Sequence, residues 1–90
     1  MLSNPKVINA MDEIIHELAR ATAQHPLWPD DIIHQIAIMA EESGESVRAA
    51  VNCVYEGGSV EEVRGELIQT GAMIIRCLIN LIDDKQQELF

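Results

Sequence analysis

Three features of the chain predict an all-α fold. Although 48% of the residues are apolar, only Trp28, Tyr55 and Phe90 are aromatic. The core therefore has to come from Ile, Val, Leu, Met and Ala, which suits helices. Apolar residues recur at three- and four-residue spacing in three segments, about 4–23, 31–54 and 59–83. Helix breakers stand between them: Pro26 and Pro29 in the first gap, Gly57 and Gly58 in the second. Ninety residues make a single domain, 1–90, at the small end of what folds alone.

The first helix opens with Asn4 as a cap and Pro5 at its first position, where a missing N–H costs nothing. Val7, Ile8, Met11, Ile14, Ile15, Leu18 and Thr22 form one apolar stripe, with Asn9, Asp12, Glu13, His16 and Arg20 on the other side. Asp30 or Asp31 caps the second helix. Its core stripe is expected to be Ile32, Ile36, Met39, Ala40, Ser43, Val47, Ala50 and Val54. Glu42 and Glu45 project from a different side, beside Ile38 and Ala49, with His34 and Asn52 near its edge. Gly44 costs roughly 1 kcal/mol relative to Ala inside a helix, which points to a close approach there. Ser59 followed by Glu62 is a capping box opening the third helix.

The third helix is apolar over most of its circumference. Val60, Val63, Leu67, Ile74, Leu78 and Leu81 take one side, and Ile68, Ala72, Ile75, Ile79 and Ile82 continue round it. Two neighbouring helices cannot cover so wide an arc. A partner chain is expected, with three antiparallel helices per chain completing a helical bundle by dimerisation. The polar stripe that remains is Glu62, Glu66, Gln69, Arg76 and Asn80, interrupted by Met73.

Charge and composition exclude several functions. Fifteen acids against six bases leave a net charge of −9, which repels a phosphate backbone, and no Lys/Arg cluster overrides it. Nucleic acid is not an expected partner. No apolar run is long enough to span a bilayer and no secretory segment opens the chain, so a membrane is not expected either. Cys53 and Cys77 do not resemble a disulfide framework or a thiolate metal site. Their helical positions put them more than ~20 Å apart. Reduced cysteines and a cytoplasmic address follow as the default.

Two acidic combs carry the chemistry. Glu42 and Glu45 lie three residues apart on the second helix, Glu66 and Gln69 three apart on the third, and such pairs share a helix face. Measured from the intervening loop at 1.5 Å per residue, the two combs stand at heights of roughly 16 and 13 Å. In antiparallel helices they meet. Three carboxylates brought together repel unless a cation joins them, and Mg²⁺ prefers oxygen ligands of this kind.

Glu42-Ser43-Gly44-Glu45 followed by Glu66-Leu67-Ile68-Gln69 resembles the ExxE…ExxD signature of the MazG-like all-α nucleoside triphosphate pyrophosphatases. The local text Glu41-Glu42-Ser43-Gly44-Glu45 is similar to that superfamily's EExGE wording, and the helix order extends the likeness over most of the chain. The resemblance implies a Mg²⁺-dependent hydrolase, with Mn²⁺ as a substitute, that acts as a dimer or tetramer. It would cut (d)NTP between the α and β phosphates to give NMP and pyrophosphate. Carried over by position, Glu42, Glu45 and Glu66 match metal-binding glutamates, and Gln69 stands where most of the family has Asp. An amide oxygen still ligates Mg²⁺ but brings no charge. A glutamate outside the first coordination shell, Glu41 or Glu45, would take the proton from water. Arg76 and Asn80, along the stripe of Gln69, would meet the phosphates, and Trp28 would offer a platform for the base.

Plainer readings stand beside these. Glu42 and Glu45 also read as a solvated face, Gln69 as a buried hydrogen-bonding amide, Arg76 as the partner of a nearby acid, and Trp28 as a lid over the core. Glu13-Ile14-Ile15-His16 is an ExxH string of the sort that di-iron bundles use in duplicate. It occurs once, opposite the apolar stripe, and both ends are expected to be exposed. The alternative function is a non-catalytic helical oligomerisation or interaction module that keeps the scaffold without full metal binding.

Overall fold

The computed structural model describes residues 3–89, with side chains through Leu81. It consists of three helices, α1 (Pro5–Gln24), α2 (Ile32–Tyr55) and α3 (Val60–Leu89). Each begins where its cap dictates. The Asn4 side chain accepts from the amides of Lys6 and Val7, at 2.9 and 3.4 Å. The Asp31 carboxylate accepts from Ile33 N at 3.2 Å, and Ser59 Oγ from Glu62 N at 3.1 Å. These bonds satisfy amides that the first turn leaves without helical partners. The α2–α3 turn uses Gly57 at φ +79°, a conformation that favours glycine, and Gly58 N donates to Asn52 O at 2.9 Å. The α3 backbone stays helical past the expected end near 83, through the 85–88 stretch. Ile82, the last member of the expected apolar arc, lies outside the described side chains.

Among the described residues α3 is the central helix, with α1 and α2 each packed on it and not on one another. Across α2 and α3, Ser46 Oγ meets Thr70 Oγ1 at 3.1 Å, and Cys77 Sγ donates to Gln35 O at 3.4 Å. Across α1 and α3, Ile14 lies against Gly71, where an added Cβ would come within 2.9 Å of Ile14 Cδ1. Glu13 pairs with Arg64 a little lower. The buried centre is small: Ala21, Ala72 and Met73, with Leu18, Trp28, Ile38 and Met39 packed round it.

Two expectations for α2 change here. Of the stripe expected to be core on α2, Ile36, Ala40, Ser43, Val47 and Val54 are exposed. Gln35 and Ala49 are buried instead, flanked by the half-buried Ile38, Glu42 and Ser46. On α3 the inward side is the interrupted polar one. Arg76 and Met73 are buried and Glu66, Gln69 and Asn80 half-buried, while Val60, Leu67, Ile74 and Leu78 are exposed. The physical reason is that α2 and α3 each carry two usable faces. Small residues, Ala49, Gly71 and Ala72, let helices approach closely on one of them, and the apolar stripe is left outside. Gly44 also differs from expectation, since nothing lies within 4 Å of where its Cβ would be. The close approach is at Gly71.

Candidate functional site

The inward polar side of α3 forms the floor of a cleft of about 380 Å³. Glu17, Arg20 and Ala21 of α1 line one wall and Ile38 and Glu42 of α2 the other. Gln69, Met73 and Arg76 rise from the floor, and the 25–28 stretch of the loop closes one end. The lining follows from helical spacing. Gln69, Met73 and Arg76 step by four and three residues, and on α1 Arg20 and Ala21 stand three and four residues after Glu17.

The closed end is built on Arg76, which is 5% exposed. Its guanidinium stacks over the Trp28 ring at 4.5 Å from the centroid, a favourable placement of a cation on an indole face. Its Nη2 donates to the His25 carbonyl at 2.6 Å, which ties the loop to α3. Among the described residues no carboxylate forms an ion pair with it. A buried cation without an anion is costly unless a charge is supplied. Trp28 Nε1 and Gln35 Oε1 are also buried without a hydrogen-bond partner.

The open end is acidic. Burial pushes the Glu42 carboxyl above its ordinary range, and the negative charges of Glu66, Glu45, Glu41 and Glu17 push it further. Glu17 moves the other way. Arg20 Nε and Nη2 donate to its two oxygens at 2.8 and 2.6 Å, and that hydrogen bonding holds its carboxyl below the usual range. One wall thus carries a neutralised glutamate and the other a glutamate under repulsion.

Of the residues singled out in the sequence, Glu42, Gln69, Arg76 and Trp28 line this one cleft. The Ser46–Thr70 contact puts the Glu42–Glu45 turn of α2 level with the Glu66–Gln69 turn of α3. Glu66 is half-buried, Glu41 and Glu45 are exposed, and none of the three lines the cleft. All three act on Glu42 through charge alone. Asn80, a turn beyond Arg76, spends its amide on the Arg76 carbonyl at 2.7 Å. Among the described residues no three His, Cys, Asp or Glu side chains stand close enough together to hold a metal ion. The donor chemistry nevertheless suits a hard cation, because Glu42, Glu45, Glu66 and Gln69 offer only oxygen.

Sequence reasoning missed the contribution of α1. Glu17 and Arg20 are cleft residues, and their three-residue spacing was the available signal. The His25 carbonyl had none, since backbone groups of a proline-flanked loop leave no mark on side-chain periodicity. Glu13 is not simply exposed, because it pairs with Arg64 across to α3. His16 is exposed. Both cysteines are free, and burial raises the Cys77 thiol. No helix among the described residues is long and apolar enough to cross a membrane. Compared with known proteins, the chain matches no family model, no curated protein and no solved structure.

Proposed function

We propose that this chain is a Mg²⁺-dependent nucleoside triphosphate pyrophosphohydrolase of the MazG-like kind, with three antiparallel helices per chain, working as a cytoplasmic homo-oligomer. One observation carries the proposal. The cleft has a buried arginine, stacked on a tryptophan and ion-paired to no carboxylate among the described residues, at one end and a repelled glutamate at the other. A metal–nucleotide complex supplies what each end lacks, an anion for Arg76 and a cation for Glu42. Glu42, Glu45, Glu66 and Gln69 are the proposed Mg²⁺ donors, with Mn²⁺ as a substitute. Glu45 and Glu66 would have to turn toward the cleft. When bound, the ion would neutralise phosphate oxygens and acidify a water.

The protein's own groups have separate tasks in this proposal. Arg76 binds a phosphate oxygen and Trp28 offers its ring to the base, while Asn80 holds the backbone beneath Arg76. Water attacks the α-phosphorus, the bond to the bridging oxygen breaks, and pyrophosphate leaves. Glu41 or Glu45, at the rim, accepts the proton from that water.

The test is release of pyrophosphate from each of the common (d)NTPs with Mg²⁺ present. Glu42→Ala and Glu66→Ala are expected to lower the rate by at least about 100-fold, the scale of losing a charge-stabilising group. Unchanged rates in both variants would end the proposal. The second reading, a non-catalytic interaction module, is favoured by Gln69 in place of a fourth carboxylate and by the exposed apolar stripes of α2 and α3. On that reading Glu42→Ala is tolerated and stabilising, and no nucleotide is turned over.

A further inference from the structure

We infer that Glu17 of α1 is a further cation-binding residue that supplies the carboxylate Gln69 lacks, so that a bound Mg²⁺ draws an oxygen donor from each of the three helices. The inference rests on the cation of the proposed function and not on its hydrolysis. Of the four donors named there, only Glu42 and Gln69 line the cleft. Glu17 lines it too, from the wall opposite Glu42. The three give two carboxylates and an amide oxygen, one group from each helix. Mg²⁺ is commonly held by one or two carboxylates, with water and substrate phosphates completing its shell.

Contacts between the helices bring these donors to one level. α1 meets α3 where Ile14 lies against Gly71 and where the His25 carbonyl accepts from Arg76. Glu17 comes about one turn after Ile14, on the way to His25, and so stands beside the 71–73 stretch of α3. α2 meets α3 where Ser46 touches Thr70 and where Cys77 donates to the Gln35 carbonyl. Glu42 comes about one turn before Ser46, on the way to Gln35, which puts it beside the same stretch. Gln69 lies one turn before Met73 on the floor between the walls. Glu42, raised first by burial, also feels the charge of Glu17.

Glu17 is held as a ligand rather than as half of a surface ion pair. Its side chain is 15% exposed, against 57% for Arg20. Arg20 gives one N–H to each oxygen of the carboxylate and another to Gln24 Oε1, which fixes the carboxylate in one orientation. Each oxygen keeps a second lone pair for a cation, and ligating carboxylates are ordinarily steadied by such outer hydrogen bonds. Arg76 is the independent sign of a ligand. It is 5% exposed, lines the same cleft and pairs with no carboxylate among the described residues. A buried cation of that kind calls for an anion. A phosphate enters beside Glu17 and Glu42 only if a cation lies between it and their charges.

The probe is Mn²⁺ alone, titrated into the full chain and followed by the electron paramagnetic resonance of the free ion. Glu17→Gln keeps the side chain's size and is expected to weaken binding by at least about tenfold. Adding Gln69→Asp to that variant returns a carboxylate to the cleft and should recover most of the loss. Glu61→Gln, in the first turn of α3, removes the same charge about 12 Å along the helix from Gln69. That exceeds the ~8 Å screening length of physiological salt, so its affinity should stay within about twofold of wild type. Equal affinity in Glu17→Gln and wild type overturns the inference, and if Glu42→Ala still abolishes binding the proposed metal site stands without Glu17. A loss that Gln69→Asp fails to recover overturns it too. A wild type that binds no Mn²⁺ ends this inference and the proposed function together. Binding that depends on Glu17, without pyrophosphate release, supports the cation site and ends the hydrolase alone. If a variant fails to fold, carbon NMR of the wild-type carboxyls decides. Mn²⁺ broadening of the Glu17 carboxyl together with that of Glu42 supports the inference, and a Glu17 signal as sharp as that of Glu61 overturns it.

Discussion

Glu42 shows how one residue's surroundings become a measurable property of the whole fold. Its carboxyl is raised above the ordinary value by burial first and by neighbouring carboxylates second. A raised carboxyl is favoured protonated in the folded state, so the fold is most stable below the unfolded value. It loses that contribution as pH rises through the folded one. Glu42→Gln should therefore raise the melting temperature by about 2–4 °C at pH 7, and the gain should vanish near pH 4. A calorimetric series across that range checks both the size and the sign. Arg76 makes the opposite kind of prediction. Replacing it with Met removes the ring stack on Trp28 and the anchor to the His25 carbonyl. A loss of about 1–3 kcal/mol in denaturant unfolding is expected, together with loss of nucleotide-dependent stabilisation. Glu42 was visible in the sequence as a carboxylate beside apolar residues. The isolation of the Arg76 charge was not, because it depends on which acids from other segments come near.

The helices divide their glycines between two physical roles. Gly44 sits exposed within α2 with nothing near its missing Cβ. Gly44→Ala should therefore stabilise by roughly 1 kcal/mol through helix propensity alone. Gly71 lies where α1 crosses α3, against Ile14. Gly71→Leu should push α1 away and cost about 1–3 kcal/mol by overpacking. Urea unfolding of the two variants side by side gives opposite signs if this assignment of close approach is right. The caps were the most legible elements. Asn4, Asp31 and Ser59 act locally, on amides two or three residues away, so their work needs no tertiary information. Gly71 was overlooked because spacing along one helix does not say which helix will cross it.

At the scale of the molecule, the three helices form a two-sided layer. The cleft lies between α1 and α2 over α3, and exposed apolar side chains, Val47 and Val51 of α2 and Leu67 and Ile74 of α3 among them, lie outside it. If metal and nucleotide bind the folded cleft, Mg²⁺ with a non-hydrolysable dNTP should raise the melting temperature by linkage. At a hundred times the dissociation constant that amounts to about 2.7 kcal/mol. Glu42→Ala should remove the shift, and differential scanning fluorimetry reads it directly.

The helical class, the three segments and their starting caps were determined by the sequence itself, since periodicity, prolines and capping groups act within a few residues. So was the common level of the two combs, because helical rise is constant. Only the tertiary structure decided which face of each helix turned inward. The stripe expected to be the core of α2 is outside, and the polar line of α3 lies beneath the cleft. The physical reason is that periodicity identifies residues that share a face, whereas the choice between two apolar faces depends on close approach between segments distant in the chain. Ile14 on Gly71, Ser46 on Thr70 and the His25 carbonyl on Arg76 made that choice.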